Sequence, residues 1–181
     1  MRVRLALVLF ASLLLIAAGI AYAQDQKTME AAPAKEAVLK AADITPKVLP
    51  EKVFFRGQTA TTQLRNTGGV RYADGFFVLA TLVDSSGYST AIREKYQGYL
   101  INEVTVEIGG QTLKPGAYGF GFLEGNKFVV MDLGANDLFQ IASVKDAAMK
   151  HPVPLQVLST ADAGKYRLYK GKEYVEFHRA K

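Results

Sequence analysis

Phe76-Phe77-Val78-Leu79-Ala80-Thr81-Leu82-Val83 is apolar at almost every position and ends at the turn signal Asp84-Ser85-Ser86-Gly87. The run is too short for a core helix and too uniform for a half-exposed strand. It reads as a strand covered on both faces and as the centre of the core.

Outward from this strand the chain keeps one rhythm: short apolar or alternating runs separated by Gly, Asn, Asp and Pro. Candidate strands are Lys52–Arg56, Thr59–Arg65, Phe76–Val83, Asn102–Ile108, Tyr118–Leu123, Lys127–Asp132, Leu138–Ala142, Leu155–Leu158, Tyr166–Tyr169 and Tyr174–His178. Asn66-Thr67-Gly68-Gly69, Asp84-Ser85-Ser86-Gly87, Gly109-Gly110, Glu124-Gly125-Asn126 and Lys170-Gly171-Lys172 offer residues that tolerate a left-handed backbone, as hairpin turns require. The expectation is a mainly β fold: a single antiparallel β-barrel or β-sandwich of about 8–10 short strands with one or two short helices. Ser89–Leu100, with Ile92, Tyr96, Tyr99 and Leu100 near helical spacing, and Val144–Lys150 are the candidate helices.

The N-terminus carries an address. Arg2 and Arg4 precede the apolar run Leu5–Ile20, and Ala21-Tyr22-Ala23 supplies a small-x-small cleavage pattern, so residues 1–23 read as a cleaved Sec-type signal peptide. The rival, an uncleaved anchor, has a run shorter than the roughly 20 residues that span a bilayer and lacks a basic flank. The chain has no Cys, which excludes disulfide staples and an acylated N-terminal cysteine. A periplasmic or secreted location follows, with no membrane attachment after cleavage. Gln24–Pro50, rich in Ala, Lys, Glu and Pro, reads as a flexible leader with Ala34–Ala42 as its one candidate helix, and residues 51–181 as a single β-rich domain.

The net charge of +5 falls once Arg2 and Arg4 are removed, and the remaining Lys and Arg are scattered among acidic residues. A nucleic-acid partner, which calls for a basic face, is therefore not expected. The two histidines, His151 and His178, form no metal-binding spacing, so neither a metal site nor a cofactor is expected. Asp84-Ser85-Ser86-Gly87 lacks the first glycine of a nucleophile elbow, and Asp74, Asp84, Asp132 and Asp137 sit beside turns, where Asp caps the local backbone. No catalytic residue is assigned, and a hydrolase assembled from distant positions is the remaining enzymatic reading.

Two patterns point to binding. In Ala117-Tyr118-Gly119-Phe120-Gly121-Phe122, a period of two puts Tyr118, Phe120 and Phe122 on one face and leaves the face of Gly119 and Gly121 bare. Something needs that space: a barrel-closing bend, a large neighbouring side chain, or a ligand against the backbone. Thr59, Thr61, Gln63 and Arg65 share one face of a strand that is polar on both sides, which describes either a wet edge or the polar mouth of a site.

Val104-Thr105-Val106-Glu107-Ile108-Gly109-Gly110-Gln111-Thr112-Leu113-Lys114-Pro115-Gly116-Ala117-Tyr118 resembles a strand–turn–strand of an uncharacterised family of exported bacterial β-proteins. Gly110, Leu113, Gly116 and Tyr118 carry the resemblance, which extends over residues 104–132. It implies export and a β fold, and it brings no functional residues.

The leading expectation is a non-enzymatic exported domain that binds a small amphipathic ligand. Tyr118, Phe120 and Phe122 would form the apolar wall, while Gln63 and Arg65 orient the polar end. The alternative is an envelope structural or interaction module that meets a protein partner through Tyr88, Tyr96 and Tyr99 in exposed loops. An outer-membrane barrel fits less well, because most candidate strands are shorter than the about nine residues such a barrel needs.

Overall fold

The computed structural model describes residues 35–44 and 48–181; the signal peptide expected over residues 1–23 and most of the expected leader lie outside the described residues. The described chain is a two-sheet antiparallel β-sandwich, and the barrel alternative does not form. The first sheet contains β1 (Ala37–Lys40), β2 (Lys52–Phe55), β3 (Gln58–Arg71), β4 (Phe77–Asp84), β5 (Gly98–Asn102), β8 (Gly116–Leu123), β9 (Lys127–Met131) and β10 (Asp137–Ala142). Its order is β1-β3-β4-β5-β8-β9-β10, with β2 paired to the first part of β3. The second sheet runs β12 (Gln156–Ser159), β13 (Lys165–Lys170), β14 (Glu173–Arg179), β6 (Val106–Ile108) and β7 (Gln111–Leu113), and β11 (Val144–Lys145) pairs with the start of β14.

The apolar run behaves as its composition demands from Phe77 to Val83, while Phe76 lies before the strand and is 47% exposed. β4 lies between β3 and β5; Val78 and Ala80 face the second sheet, while Leu79 and Val83 face the opposite side. Each side of the first sheet therefore carries a core. The inner core joins Val78, Ala80, Leu100 and Phe120 to Val106, Val157, Leu168 and Phe177 of the second sheet. The outer core gathers Phe55, Tyr88, Tyr96, Tyr99, Val129 and Met131.

What closes the outer core is the β2–β3 hairpin. Arg56 and Gly57, with φ of 46° and 81°, form a two-residue turn of the kind whose twist matches antiparallel strands. A register shift in β3 between Thr62 and Thr67 bends the hairpin over the sheet. Its tip is fastened where the Arg56 N–H donates to the Leu133 carbonyl at 2.8 Å.

Several sequence expectations change for physical reasons. Asn66-Thr67-Gly68-Gly69 is not a turn but the interior of β3. A Cβ on Gly68 would press on the Val157 backbone, so the glycine lets β12 of the opposite sheet come close. The polar strand at residues 59–65 is no edge, since β2 and β4 flank it. The helix expected over Ser89–Leu100 stops as α1 (Thr90–Lys95). Beyond it Tyr99 and Leu100 turn to opposite cores, the signature of a strand. Asp84–Gly87 thus leads into a helix rather than a hairpin.

The single strand expected over Asn102–Ile108 divides where the chain changes sheets. Buried Asn102 pins that corner, its Nδ2 donating to the carbonyls of Lys114 at 2.7 Å and Val104 at 3.0 Å. Val144–Lys150 forms β11 and then a turn in which Asp146 accepts the Ala148 N–H, with no helix. Within the leader, the helix expected over Ala34–Ala42 is instead β1, paired with Gly68–Arg71, followed by a 3₁₀ turn at Ala41–Asp43. An open sheet edge rewards an extended segment more than nine isolated residues reward a helix.

Gly121 tests this packing. A Cβ there would clash with the Lys95 carbonyl, which is backbone and cannot rotate away. Gly121→Ala is expected to cost about 2–3 kcal/mol in urea unfolding, whereas Gly87→Ala, with open space around it, should stay within about 0.5 kcal/mol.

Candidate functional site

The residues singled out in the sequence do not converge. Phe120 is fully buried and Phe122 nearly so, and their rings pack on Phe128 with centroids 5.7 and 4.9 Å away. The void that remains between the sheets, beside Ala80, Leu100 and Val157, measures about 10 Å³. That is about the room one water needs, so the expected ligand wall is solid core. Tyr118 is half-buried at the core margin and donates its hydroxyl to the Lys114 carbonyl at 2.9 Å.

Gln63 fills the β3 irregularity: its Nε2 donates to the Val83 carbonyl at 3.2 Å and its Oε1 accepts from Asn66 at 2.8 Å. Arg65 is exposed. Because β4 and β5 lie between β3 and β8, Gln63 and Arg65 stand about 14 Å from the Tyr118 strand, three strand spacings away.

The alternative set is corrected as well. Tyr88, Tyr96 and Tyr99 are buried, not displayed. Tyr96 stacks on Phe55 at 3.8 Å between centroids and 10° between planes, and the Tyr88 hydroxyl donates to the Phe55 carbonyl at 3.0 Å. The bare face of Gly119 and Gly121 is where this cluster sits: a Cβ on Gly119 would strike Phe55 and Tyr96. Of the three reasons weighed for the glycines, a large neighbouring side chain is the one realised.

The same glycines help shape a groove on the outer face. With the end of α1 lying on Gly121, Gln97 reaches β8 and behaves like a neighbouring strand. Its Nε2 donates to the Phe122 carbonyl at 2.9 Å, and its Oε1 accepts the Phe122 N–H at 3.0 Å. Between this helix end and β8–β10 lies a groove of about 580 Å³, bordered by Glu94, Lys95, Leu123, Glu124, Lys127 and Gln140. Lys95 crosses to Asp137 at 2.7 Å, and Gln140 donates to the same carboxylate at 3.1 Å.

The groove opens onto β10, which ends the first sheet. The Ser143 N–H donates to the Asn126 carbonyl at 2.8 Å, which fixes the phase of the ladder. Counting back by twos, Ile141 and Phe139 aim their backbone groups at β9, while Gln140 and Ala142 aim theirs away. Phe139 and Ile141 tuck their side chains against the inner core; Leu138 is 47% exposed. This edge was read in the sequence only as one strand among ten, because local alternation does not reveal which strand ends a sheet.

The carboxylates are engaged locally. Hydrogen bonds from Asn136 hold Asp132 below the usual carboxylate range, the Ser86 N–H does the same for Asp84, and Arg179 for Asp74. Each is held as an ionised acceptor in a turn or ion pair. Among the described residues no cluster of His, Asp and Glu is arranged to hold a metal ion. No family model, curated protein or solved structure matches the chain.

Burial raises the Tyr72 phenol to about 12 and pushes Tyr96 higher still. A phenol that holds its proton more tightly when folded stabilises the fold below about pH 10, and that contribution is lost as pH rises through the folded value. The Tyr96 hydroxyl is buried without a hydrogen-bond partner. Tyr96→Phe is therefore expected to keep or raise stability by about 1 kcal/mol at neutral pH and to move alkaline unfolding upward. Circular dichroism melts across pH 7–12 check both; a clear loss of stability at pH 7 would mean the hydroxyl is satisfied.

Proposed function

We propose that the mature chain is a non-enzymatic recognition module of the cell envelope, working in the periplasm or outside the cell, that binds an extended polypeptide along β10. The observation that carries this reading is the contrast between a filled interior and an open edge. The space between the sheets holds about 10 Å³, whereas β10 offers outward backbone groups beside an exposed Leu138. A strand laid on such an edge gains main-chain hydrogen bonds from β10 and side-chain selectivity from what borders it. Here that border is the groove, with Glu94 and Glu124 set against Lys95 and Lys127 around Leu123.

A second reading keeps a small amphipathic molecule as the ligand and places it in the groove. Its volume of about 580 Å³ falls in the range of small-molecule sites. Phe122 keeps its place among the lining residues, though its ring is committed to Phe120 and Phe128.

Proline separates the two. The Gln140 N–H points away from β9, so Gln140→Pro removes a recognition donor and leaves the fold's own ladder intact. Ile141→Pro deletes a bond to Phe128 in β9 and should lower stability by about 2 kcal/mol or more. Native mass spectrometry of the mature protein from its own envelope is expected to show a polypeptide complex, with Gln140→Pro melting normally but losing it at least tenfold. A co-purifying small molecule that Gln140→Pro retains would overturn the polypeptide reading in favour of the groove ligand.

A further inference from the structure

The β10 edge carries information about what pairs with it. Its stretch Leu138-Phe139-Gln140-Ile141-Ala142 contains no charge and no proline, two of the devices that keep sheet edges from pairing. The third device, a register irregularity, falls at Leu138, between Asp137 and Phe139, and leaves Phe139–Ala142 regular. The other strands at sheet margins, β1, β2, β7, β11 and β12, are four residues or shorter, while β10 has six, five of them uncharged. The longest edge strand is thus free of charge and proline from Leu138 to Ala142.

Building on the strand-recognition reading, we infer that the polypeptide β10 accepts is β10 of a second copy of this chain, paired antiparallel about a two-fold axis through Gln140. Side-chain alternation leaves only registers that match face to face, and among these the one centred on Gln140 pairs the whole uncharged stretch 138–142 with itself. With Gln140 opposite its own copy, Leu138 meets Ala142 on the outer face and Phe139 meets Ile141 on the inner face. Large is set against small outside, and apolar against apolar inside. Phe139 and Ile141, only partly buried at the margin of the inner core, gain cover as the two sandwiches join edge to edge.

The backbone agrees with this register. Gln140 and Ala142 present their free N–H and C=O groups outward, so the self-paired position is a hydrogen-bonded pair. Shifting by one residue would put Leu138 opposite Ile141, an outer residue opposite an inner one. Electrostatics agrees as well. No charge meets a like charge across residues 138–142, because the stretch holds none.

The absence of native cysteine makes the test clean. A residue on the two-fold axis pairs with itself, so mature Gln140→Cys is expected to form a disulfide dimer at least tenfold faster under mild oxidation than Ser86→Cys, an exposed loop control. Leu138→Cys mixed with Ala142→Cys should cross-link while neither does alone. Light scattering should show a concentration-dependent dimer in the unsubstituted protein and a monomer in Gln140→Pro. Cross-linking at the control rate, with a monomer at every concentration, overturns the inference. If Gln140→Pro still loses an envelope polypeptide in that case, strand recognition stands and only the homotypic partner falls; if it loses nothing, both fall.

Discussion

Close contact between glycine backbone and aromatic rings on the outer face of the first sheet is the constraint on which the rest depends. Gly119 leaves the space that the stacked Phe55 and Tyr96 rings occupy, and Gly121 leaves the space for the end of α1. On the inner face, Gly98 makes the matching concession to the Phe120 ring. Together these absent side chains let one sheet carry a core on each face, so β4 can be apolar from Phe77 to Val83 with no apolar side chain fully exposed. Interiors tolerate such arrangements only when they are filled, and filling this one removes the cavity that a buried ligand would need.

On the proposed reading, function is pushed outward as a result. With the interior closed, the proposed recognition belongs to the surface, and the outer face is shaped by the same packing. Seating α1 on Gly121 raises the groove wall, and Gln97 welds that wall to β8 through its paired bonds to Phe122. The groove then runs out to β10, where the sheet stops and backbone groups are left without a neighbouring strand.

Much of the fold was legible from residues alone. The doubly apolar run at 76–83, the turns at Gly109-Gly110, Glu124-Gly125-Asn126 and Lys170-Gly171-Lys172, and the mainly β class all follow from local patterning. What local patterning misreads is glycine used for proximity. Gly68-Gly69 looks like a turn because turns are the common use of paired glycines, yet here Gly68 admits a neighbouring backbone from the opposite sheet. Tyr96 and Tyr99 look like a helix face or an exposed loop because their burial depends on a hairpin forty residues upstream. The glycine–aromatic alternation at 117–122 correctly announced that something fills the bare face, but only the topology reveals what. The edge status of β10 was invisible for the same reason: strand order is a long-range property.

Residue-resolved amide hydrogen exchange along β10 tests the central claim most directly. In dilute mature protein, Phe139 and Ile141 should exchange slowly and Gln140 and Ala142 near the free-peptide rate, with protection spreading to the latter pair as concentration rises. Uniform protection across residues 139–142 in the dilute monomer would contradict an open edge, and rapid exchange of Gln140 and Ala142 at every concentration would contradict its pairing with a second copy.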